Sequence, residues 1–140
     1  MSGPLTGQLV VELAGGLHVP YTLERTQLDW LAAERADCVL VARSGLGTLN
    51  HTALTLEALA HRGLTLAGVV LGTWPAEPDL ASRCNIRDLE TLAARPLAGA
   101  LPEGCDHFDA LEPFYELVEV ASVAEARRAA VDGRDLILLS

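Results

Sequence analysis

The 140-residue sequence predicts an α/β fold whose mostly parallel sheet is flanked by helices. Short apolar runs alternate along the chain with longer segments of helical periodicity, which is the order of βαβ units. The apolar runs show no alternation of polar and apolar residues, as expected for strands covered on both faces. Half of the residues are hydrophobic and only 4% are aromatic, so Leu, Val and Ala must form the core. At this length we expect a single domain over residues 1–140.

The first half of the chain contains two strand and helix pairs. The predicted elements are a strand over 8–14, a helix over 22–34, a strand over 37–42, and a helix that runs from a cap at Asn50 to about His61. One stripe of the first helix contains Leu23, Gln27, Trp30 and Leu31, which indicates a buried face. Asparagine is a favourable cap, and Gly63 suits the residue after the second helix.

The second half continues the alternation. The predicted elements are a strand over 66–71, a turn over 72–78, a helix over 85–94, a short strand over 97–101, and then a strand, a helix and a strand over 116–120, 122–131 and 136–139. Ser122 and Glu125 form a capping-box pattern. The last strand is short, apolar and unpatterned, as expected for a strand covered on both faces.

The charge and the cysteine content of the chain argue against several classes of partner and indicate a cellular compartment. The net charge is −9 and all ten basic residues are arginine, which argues against nucleic acid and anionic membranes as partners. No apolar run reaches 18 residues, so no transmembrane helix is expected. Cys38, Cys84 and Cys105 form no Cys-x-x-Cys pair, and no signal peptide opens the chain, so we expect the cytoplasm. The cysteines are interpreted as small buried or half-buried hydrophobes.

Glu12 lies near the end of the first predicted strand, three residues before the Gly15-Gly16 pair. In parallel α/β sheets, ligands bind beyond the carboxyl ends of the strands, where glycine-rich turns let backbone N–H groups approach an anion. Glu12 is therefore placed where a magnesium-nucleotide could meet it. The chain has no lysine and no Walker A loop before this strand, so a complete phosphoryl-transfer site is not expected.

The loop over residues 42–52 is the second candidate site. Gly45 and Gly47 allow close approach to the backbone, and the free N–H groups of the first turn of a helix attract a carboxylate or phosphate. The alternative is that the glycines only make a tight turn and Asn50 only caps the helix. Local pattern leaves both interpretations open.

Four segments together carry a family resemblance. Residues 11–20, 46–55, 62–70 and 96–102 resemble segments of dethiobiotin synthetases in the same order and spacing. The resemblance covers about residues 9–103, and residues 104–140 form an additional βαβ-like C-terminal segment. It implies a partial P-loop NTPase-like fold that corresponds to the family's C-terminal half and lacks the Walker A strand and loop.

The resemblance also implies an activity. Dethiobiotin synthetases are ATP- and magnesium-dependent ligases of biotin biosynthesis, and they close a ureido ring on 7,8-diaminopelargonic acid as homodimers. For this chain the resemblance implies a magnesium ligand at Glu12 and no assigned catalytic residue. The implied contacts to the substrate carboxylate are Gly47, Thr48, Leu49 and Asn50. The implied nucleotide contacts are Ala14, Gly15, Gly16, Gly72, Thr73, Pro102, Glu103 and Gly104. Gly72 departs from the family, which usually has an asparagine there that reads the adenine edge.

The function predicted from sequence is therefore dethiobiotin synthetase-like, without turnover by this chain alone. Removal of one group that neutralises charge on the transferred phosphoryl group typically slows the reaction by about 10²- to 10³-fold. This chain has neither the Walker A loop nor any lysine, so it lacks the whole set of such groups. One alternative is a non-catalytic binding or regulatory module that keeps the carboxylate site, and another is a relative of cobyrinic acid-type amidoligases. The expected ligand is a small-molecule carboxylate. The expected protein partner is either a second copy of this chain or a chain that supplies the family's N-terminal half, because a sheet without its N-terminal strands exposes an apolar edge.

Overall fold

The computed structural model describes residues 8–104 and 134–139. The elements in chain order are β1 (Gln8–Glu12), α1 (Gln27–Glu34), β2 (Asp37–Arg43), α2 (Thr48–His61), β3 (Leu66–Trp74), α3 (Leu80–Ala93), β4 (Gly99–Pro102) and β5 (Arg134–Leu139). The five strands form one sheet in the order β1-β5-β2-β3-β4, and every neighbouring pair is parallel. The predicted α/β class is confirmed. The segments predicted over 116–120 and 122–131, and Cys105, lie outside the described residues.

The last strand lies inside the sheet rather than at its edge. β5 pairs on one side with β1, from Gln8 opposite Arg134 to Glu12 opposite Leu138. On its other side it pairs with β2, where Asp37 lies opposite Leu136. The strand predicted over 136–139 is confirmed, and it separates two strands that are consecutive along the chain.

One hydrophobic core joins the three helices to the sheet. Leu31 of α1, Leu59 of α2 and Leu89 of α3 belong to the same cluster of buried residues as Leu40 of β2 and Leu71 of β3. The three helices therefore lie on the same face of the sheet. Burial of each of these leucines is worth about 1.5–3 kcal/mol.

The two central strands are buried on their other face as well. Val39 and Val70 are 1% and 2% exposed, yet they lie outside the cluster that contacts the helices. Successive side chains of a strand point to opposite faces, so these valines face away from the helices. This agrees with the unpatterned apolar sequence of both strands.

The first helix starts five residues later than predicted. Thr26 is its N-cap and forms a capping box with Asp29. The preceding residues form a turn in which Tyr21 N–H donates to the carbonyl of Arg25, and Pro20 pairs with Thr26. Leu23 is consequently fully exposed and does not belong to the buried stripe, so that part of the prediction was wrong.

The second helix starts earlier than predicted. Gly47, at φ 96°, is the N-cap of α2, and Asn50 lies inside the first turn, so the prediction that Asn50 is the cap was wrong. The prediction for Gly63 is confirmed. This residue has φ 64°, and its N–H donates to the carbonyl of Ala60 just after the helix ends. Glycine adopts such positive φ values without steric cost.

Three boundaries in the second half also differ from prediction. β3 extends through residues 72–74, which were predicted as turn, because Trp74 pairs with Pro102 of β4. α3 begins at Leu80 rather than at residue 85, because the Asp79 side chain accepts a hydrogen bond from Ser82 N–H at 2.7 Å. β4 spans Gly99–Pro102 instead of 97–101. Local caps and strand pairing thus override the hydrophobic pattern.

Asp29 links the first two helices, and this generates a pH prediction. Its carboxylate accepts from Thr26 N–H at 2.9 Å and from the Arg62 guanidinium at 2.8 Å. The Thr26 N–H, followed by Arg62, lowers the pKa of Asp29 from 3.8 to about 2. A carboxyl group with a lowered pKa contributes stability above its unfolded-state pKa and loses that contribution as the pH falls from about 4 to 2.

We therefore expect Asp29→Asn to destabilise the protein at neutral pH and to make little difference near pH 2. Urea unfolding across this range measures the difference, and NMR titration of the carboxyl carbon gives the pKa directly. Asp88→Asn on α3 is the matched control. A titration midpoint of Asp29 near 4 would contradict the prediction.

The two described cysteines differ in exposure. Cys38 is fully buried, as predicted, whereas Cys84 is exposed on α3, so the interpretation of Cys84 as buried or half-buried was wrong. Burial, together with the neighbouring Asp37, raises the pKa of the Cys38 thiol to about 11. Only the thiolate reacts with alkylating reagents.

We expect iodoacetamide at pH 8 to label Cys84 at least about tenfold faster than Cys38 in the folded protein. Peptide mass spectrometry distinguishes the two sites. In denaturant both should react at similar rates, which serves as the control. Equal rates in the folded state would show that Cys38 is accessible.

Candidate functional site

The parallel sheet brings the carboxyl ends of its strands to one edge. β1 ends at Glu12, β2 at Arg43, β3 at Trp74 and β4 at Pro102. Every residue predicted for the site lies at this edge or just beyond it, including the start of α2, which follows β2 after a short loop. The residues divide into two groups, since β1 and β4 lie four strand spacings apart, or roughly 19 Å.

The turn after β1 is held by a buried glutamine. The side-chain amide of Gln27 donates to the carbonyl of Ala14 at 2.6 Å and to that of Gly16 at 2.8 Å. Leu28 N–H donates to the carbonyl of Leu17 at 2.9 Å, which ties the same turn to the start of α1. Gly15 and Gly16 have φ values of 78° and 115°, so the glycines are required by the turn itself.

Sequence reasoning placed Gln27 only on a helix stripe and missed this role. An amide side chain that is 9% exposed in the first turn of a helix needs hydrogen-bond partners. The preceding glycine turn, with its backbone carbonyls, supplies them. The signal in the sequence was the polar residue at an otherwise apolar position.

Glu12, the predicted magnesium ligand, is exposed at the end of β1. Within residues 8–104 and 134–139, no group of three or more His, Cys, Asp or Glu side chains could hold a metal ion. A single carboxylate fits magnesium when phosphate oxygens and water supply the other ligands. Glu12 therefore suits a metal that arrives with a nucleotide, and not a metal held by the protein alone.

The loop after β2 is fixed by two polar side chains that sequence reasoning missed. The Ser44 hydroxyl donates to the carbonyl of Thr73 at 3.1 Å and so joins the ends of β2 and β3. The Asn85 amide, on α3, donates to the carbonyls of Ser44 at 2.8 Å and Gly45 at 3.1 Å. Asparagine inside a helix is unusual unless its side chain bonds elsewhere, which was the available signal.

The start of α2 carries the predicted carboxylate contacts. Gly47 makes no side-chain cap, Thr48 N–H donates to the carbonyl of Gly45 at 3.3 Å, and His51 N–H donates to that of Gly47 at 3.2 Å. Among the described residues, the N–H groups of Leu49 and Asn50 have no acceptor. The positive end of the helix dipole adds to these donors, so the site can accept an anion.

The residues predicted to contact the nucleotide base come from β3 and β4. The N–H of Glu103 donates to the carbonyl of Trp74 at 2.8 Å, so the segment over 102–104 lies against the end of β3. A Cβ on Gly72 would meet Val41 Cγ1 at 3.0 Å, so a side chain here requires the Val41 side chain to move by a few tenths of an ångström. Thr73 adopts φ 58° and is exposed. Gly72 offers no side chain that could read a base.

The comparison with family models decides the classification. The model described as "AAA domain" matches residues 4–106, which includes every element from β1 to β4. The chain belongs to this AAA domain family. β5 lies outside the matched segment.

Relatives of known name confirm the resemblance predicted from the sequence. The chain is 62% identical over 105 residues to the ATP-dependent dethiobiotin synthetase BioD of Frankia casuarinae, a match that covers 74% of this chain and 44% of the relative. The same-named protein of a Parafrankia species is 62% identical over 99 residues, covering 70% and 42%. That of Saccharopolyspora erythraea is 53% identical over 96 residues, covering 69% and 43%. The chain therefore spans less than half the length of the curated relatives it matches.

In the part of the chain that the structure describes, no helix is long and apolar enough to cross a membrane.

The Gln27 contacts generate a stability prediction. Gln27→Met keeps the length of the side chain but leaves the carbonyls of Ala14 and Gly16 without their donor. An unsatisfied buried polar group costs about 1–3 kcal/mol, and these two hydrogen bonds are part-buried, so we expect a loss near the lower end, about 1 kcal/mol, in the free energy of unfolding, measured by urea denaturation.

Arg87→Met on the exposed part of α3 is the matched control, with an expected effect within about 0.5 kcal/mol. Hydrogen exchange should also become faster over residues 14–19 in Gln27→Met and stay unchanged in the control. An unchanged free energy of unfolding in Gln27→Met would mean that water replaces the amide at no cost.

Proposed function

We propose that this chain provides the carboxylate-binding part of a dethiobiotin synthetase-like protein of biotin biosynthesis. The observation that carries the proposal is the open start of α2, where the N–H groups of Leu49 and Asn50 have no acceptor among the described residues. The tail carboxylate of 7,8-diaminopelargonic acid matches these donors in charge and size. The 62% identity to an ATP-dependent dethiobiotin synthetase supports this choice of substrate.

ATP and magnesium belong to the same proposal. The relatives are named as ATP-dependent, and Glu12 offers a carboxylate of the type that magnesium prefers. The backbone of residues 14–16 would approach the phosphates, and Thr73 with the segment over 102–104 would border the base. With no lysine in the sequence, the chain lacks the side chain that usually binds the β- and γ-phosphates in P-loop proteins. We therefore propose that these 140 residues do not turn over ATP by themselves.

A non-catalytic binding module is the second candidate, and Gly72 favours it. An adenine-reading side chain is absent at this position, and a Cβ there would press against the Val41 side chain. Such a module would keep the carboxylate site and lose the nucleotide. We further propose that the chain acts in the cytoplasm as a homodimer or with a complementing chain, with the carboxylate bound near the subunit boundary.

The test is isothermal titration of the pure chain with 7,8-diaminopelargonic acid and, separately, with magnesium-ATP. Binding of the diamine acid without ATP supports the carboxylate site. Binding of both ligands favours the synthetase-like role, whereas binding of the acid alone favours the non-catalytic module. If neither binds at millimolar concentration, the proposed function is wrong for this chain.

Asn50→Asp tests the site itself. The added carboxylate at the start of α2 should maintain or slightly raise stability, because negative charge is favourable at a helix N-terminus. The same charge should weaken binding of the diamine acid about tenfold, which corresponds to ~1.4 kcal/mol. Titration calorimetry measures the change in affinity.

Thr65→Asp is the matched control. It adds the same charge at an exposed position before β3, at the opposite edge of the sheet. Charges separated by more than about 10 Å are largely screened at 0.1 M salt, so this variant should bind like the unaltered chain. Equal weakening in both variants would indicate an effect of net charge and not of the α2 site.

A further inference from the structure

The position of β5 is not explained by the family to which the chain belongs. The matched segment ends at residue 106, whereas β5 spans Arg134–Leu139. Nevertheless, β5 lies between β1 and β2, and both of these belong to the matched segment. We call this position in the sheet, between Gln8–Glu12 and Asp37–Arg43, the β1–β2 slot. An element from outside the family match thus fills a position inside the family domain.

The two sides of the slot are also linked by contacts that do not involve β5. Gln27, at the start of α1, holds the turn that follows β1 through two hydrogen bonds to Ala14 and Gly16. Leu28 and Leu31 of the same helix pack in the core cluster with Cys38 of β2. These contacts connect the turn after β1 to the helix that packs in the core with β2, so α1 links the two sides of the slot.

An interior slot of this kind requires an occupant. Empty, it would leave the facing N–H and C=O groups of β1 and β2 without partners, which costs free energy at each group. The occupant must be parallel to both neighbours and apolar in sequence, as Leu136–Leu139 is. In relatives with the same matched segment, a strand from another part of the chain can satisfy this requirement, since more than half of their length lies outside the match.

We propose that the β1–β2 slot is a strand-binding site from which β5 is displaced by an apolar parallel strand of a second polypeptide. The partner is a chain that resembles the portion of the dethiobiotin synthetases that these 140 residues do not match. The inference rests on the proposed function for the identity of this partner. On the register of β5, a strand in the slot ends beside Glu12 of β1 and Leu40 of β2, so the loop that follows it would emerge at the same edge of the sheet as the candidate site.

The test uses hydrogen–deuterium exchange of the full chain, with and without a probe chain. The probe is the part of the Frankia casuarinae relative outside the 105-residue match, produced by coexpression with this chain. We expect the probe to copurify and the amides of residues 134–139 to lose protection in the complex, while those of β1 and β2 stay protected. Failure to copurify, or unchanged protection of residues 134–139 in the complex, overturns the proposal.

A pair of variants tests the exchange directly. An interior strand uses its N–H groups on both sides, so Leu138→Pro removes a donor and should weaken β5 in the slot. Probe binding should then become at least about tenfold tighter. Leu138→Val keeps the N–H group and is the matched control, with unchanged affinity expected. Weaker binding of the probe to Leu138→Pro overturns the proposal, because the probe would then depend on β5 rather than replace it.

Two further outcomes are distinguishable. A dimer of this chain alone that Leu138→Pro dissociates would mean that copies exchange β5 with each other, which overturns the proposal of a different partner. The exchange experiment contains no diamine acid and no ATP. Its failure therefore concerns the slot, whereas failure of the titrations with these ligands concerns the proposed function.

Discussion

Parallel pairing of the strands is the constraint on which the other features of this protein depend. Because all neighbouring strands run in the same direction, the loops after β1, β2, β3 and β4 must all emerge at one edge of the sheet. The helices return the chain to the opposite edge and pack on one face in a single core. Residues far apart in sequence, such as Glu12 and Glu103, therefore share an edge without any contact between them.

Buried amide and hydroxyl groups then fix the loops in place. Gln27 holds the turn after β1, whereas Asn85 and Ser44 hold the loop after β2. Each of these side chains bonds to backbone carbonyls that strand pairing leaves free. In the described part of the chain, no buried side-chain nitrogen or oxygen lacks a partner. The loops are consequently ordered before any ligand binds, so less conformational entropy is lost on binding.

Positive potential at the carboxyl-end edge of the sheet comes more from the backbone than from side chains. The chain carries a net charge of −9 and no lysine, so a general attraction for anions is not available. At the start of α2, backbone N–H groups and the helix dipole supply local positive potential, and the exposed Arg43 ends β2 at the same edge. Such a site favours a small carboxylate that reaches the N–H groups directly. Transfer of a phosphoryl group requires more positive charge than this arrangement supplies, which agrees with the proposal that these residues do not turn over ATP by themselves.

The sequence by itself determined the α/β class, the order of the elements and the family, because apolar runs, glycines and motif spacing are local properties. It also identified Glu12, the turn over 14–16 and the segment over 47–50 as candidate site residues near the ends of the strands. The helix starts at Gln27 and Leu80 are also local features, because the caps Thr26 and Asp79 bond to residues only three positions further along the chain, but they compete with the hydrophobic pattern on which the prediction relied. Only the tertiary structure decided the roles of Gln27, Ser44 and Asn85, and the insertion of β5 between β1 and β2. These features depend on contacts between residues 11 to more than 100 positions apart, and no local pattern in the chain encodes such contacts.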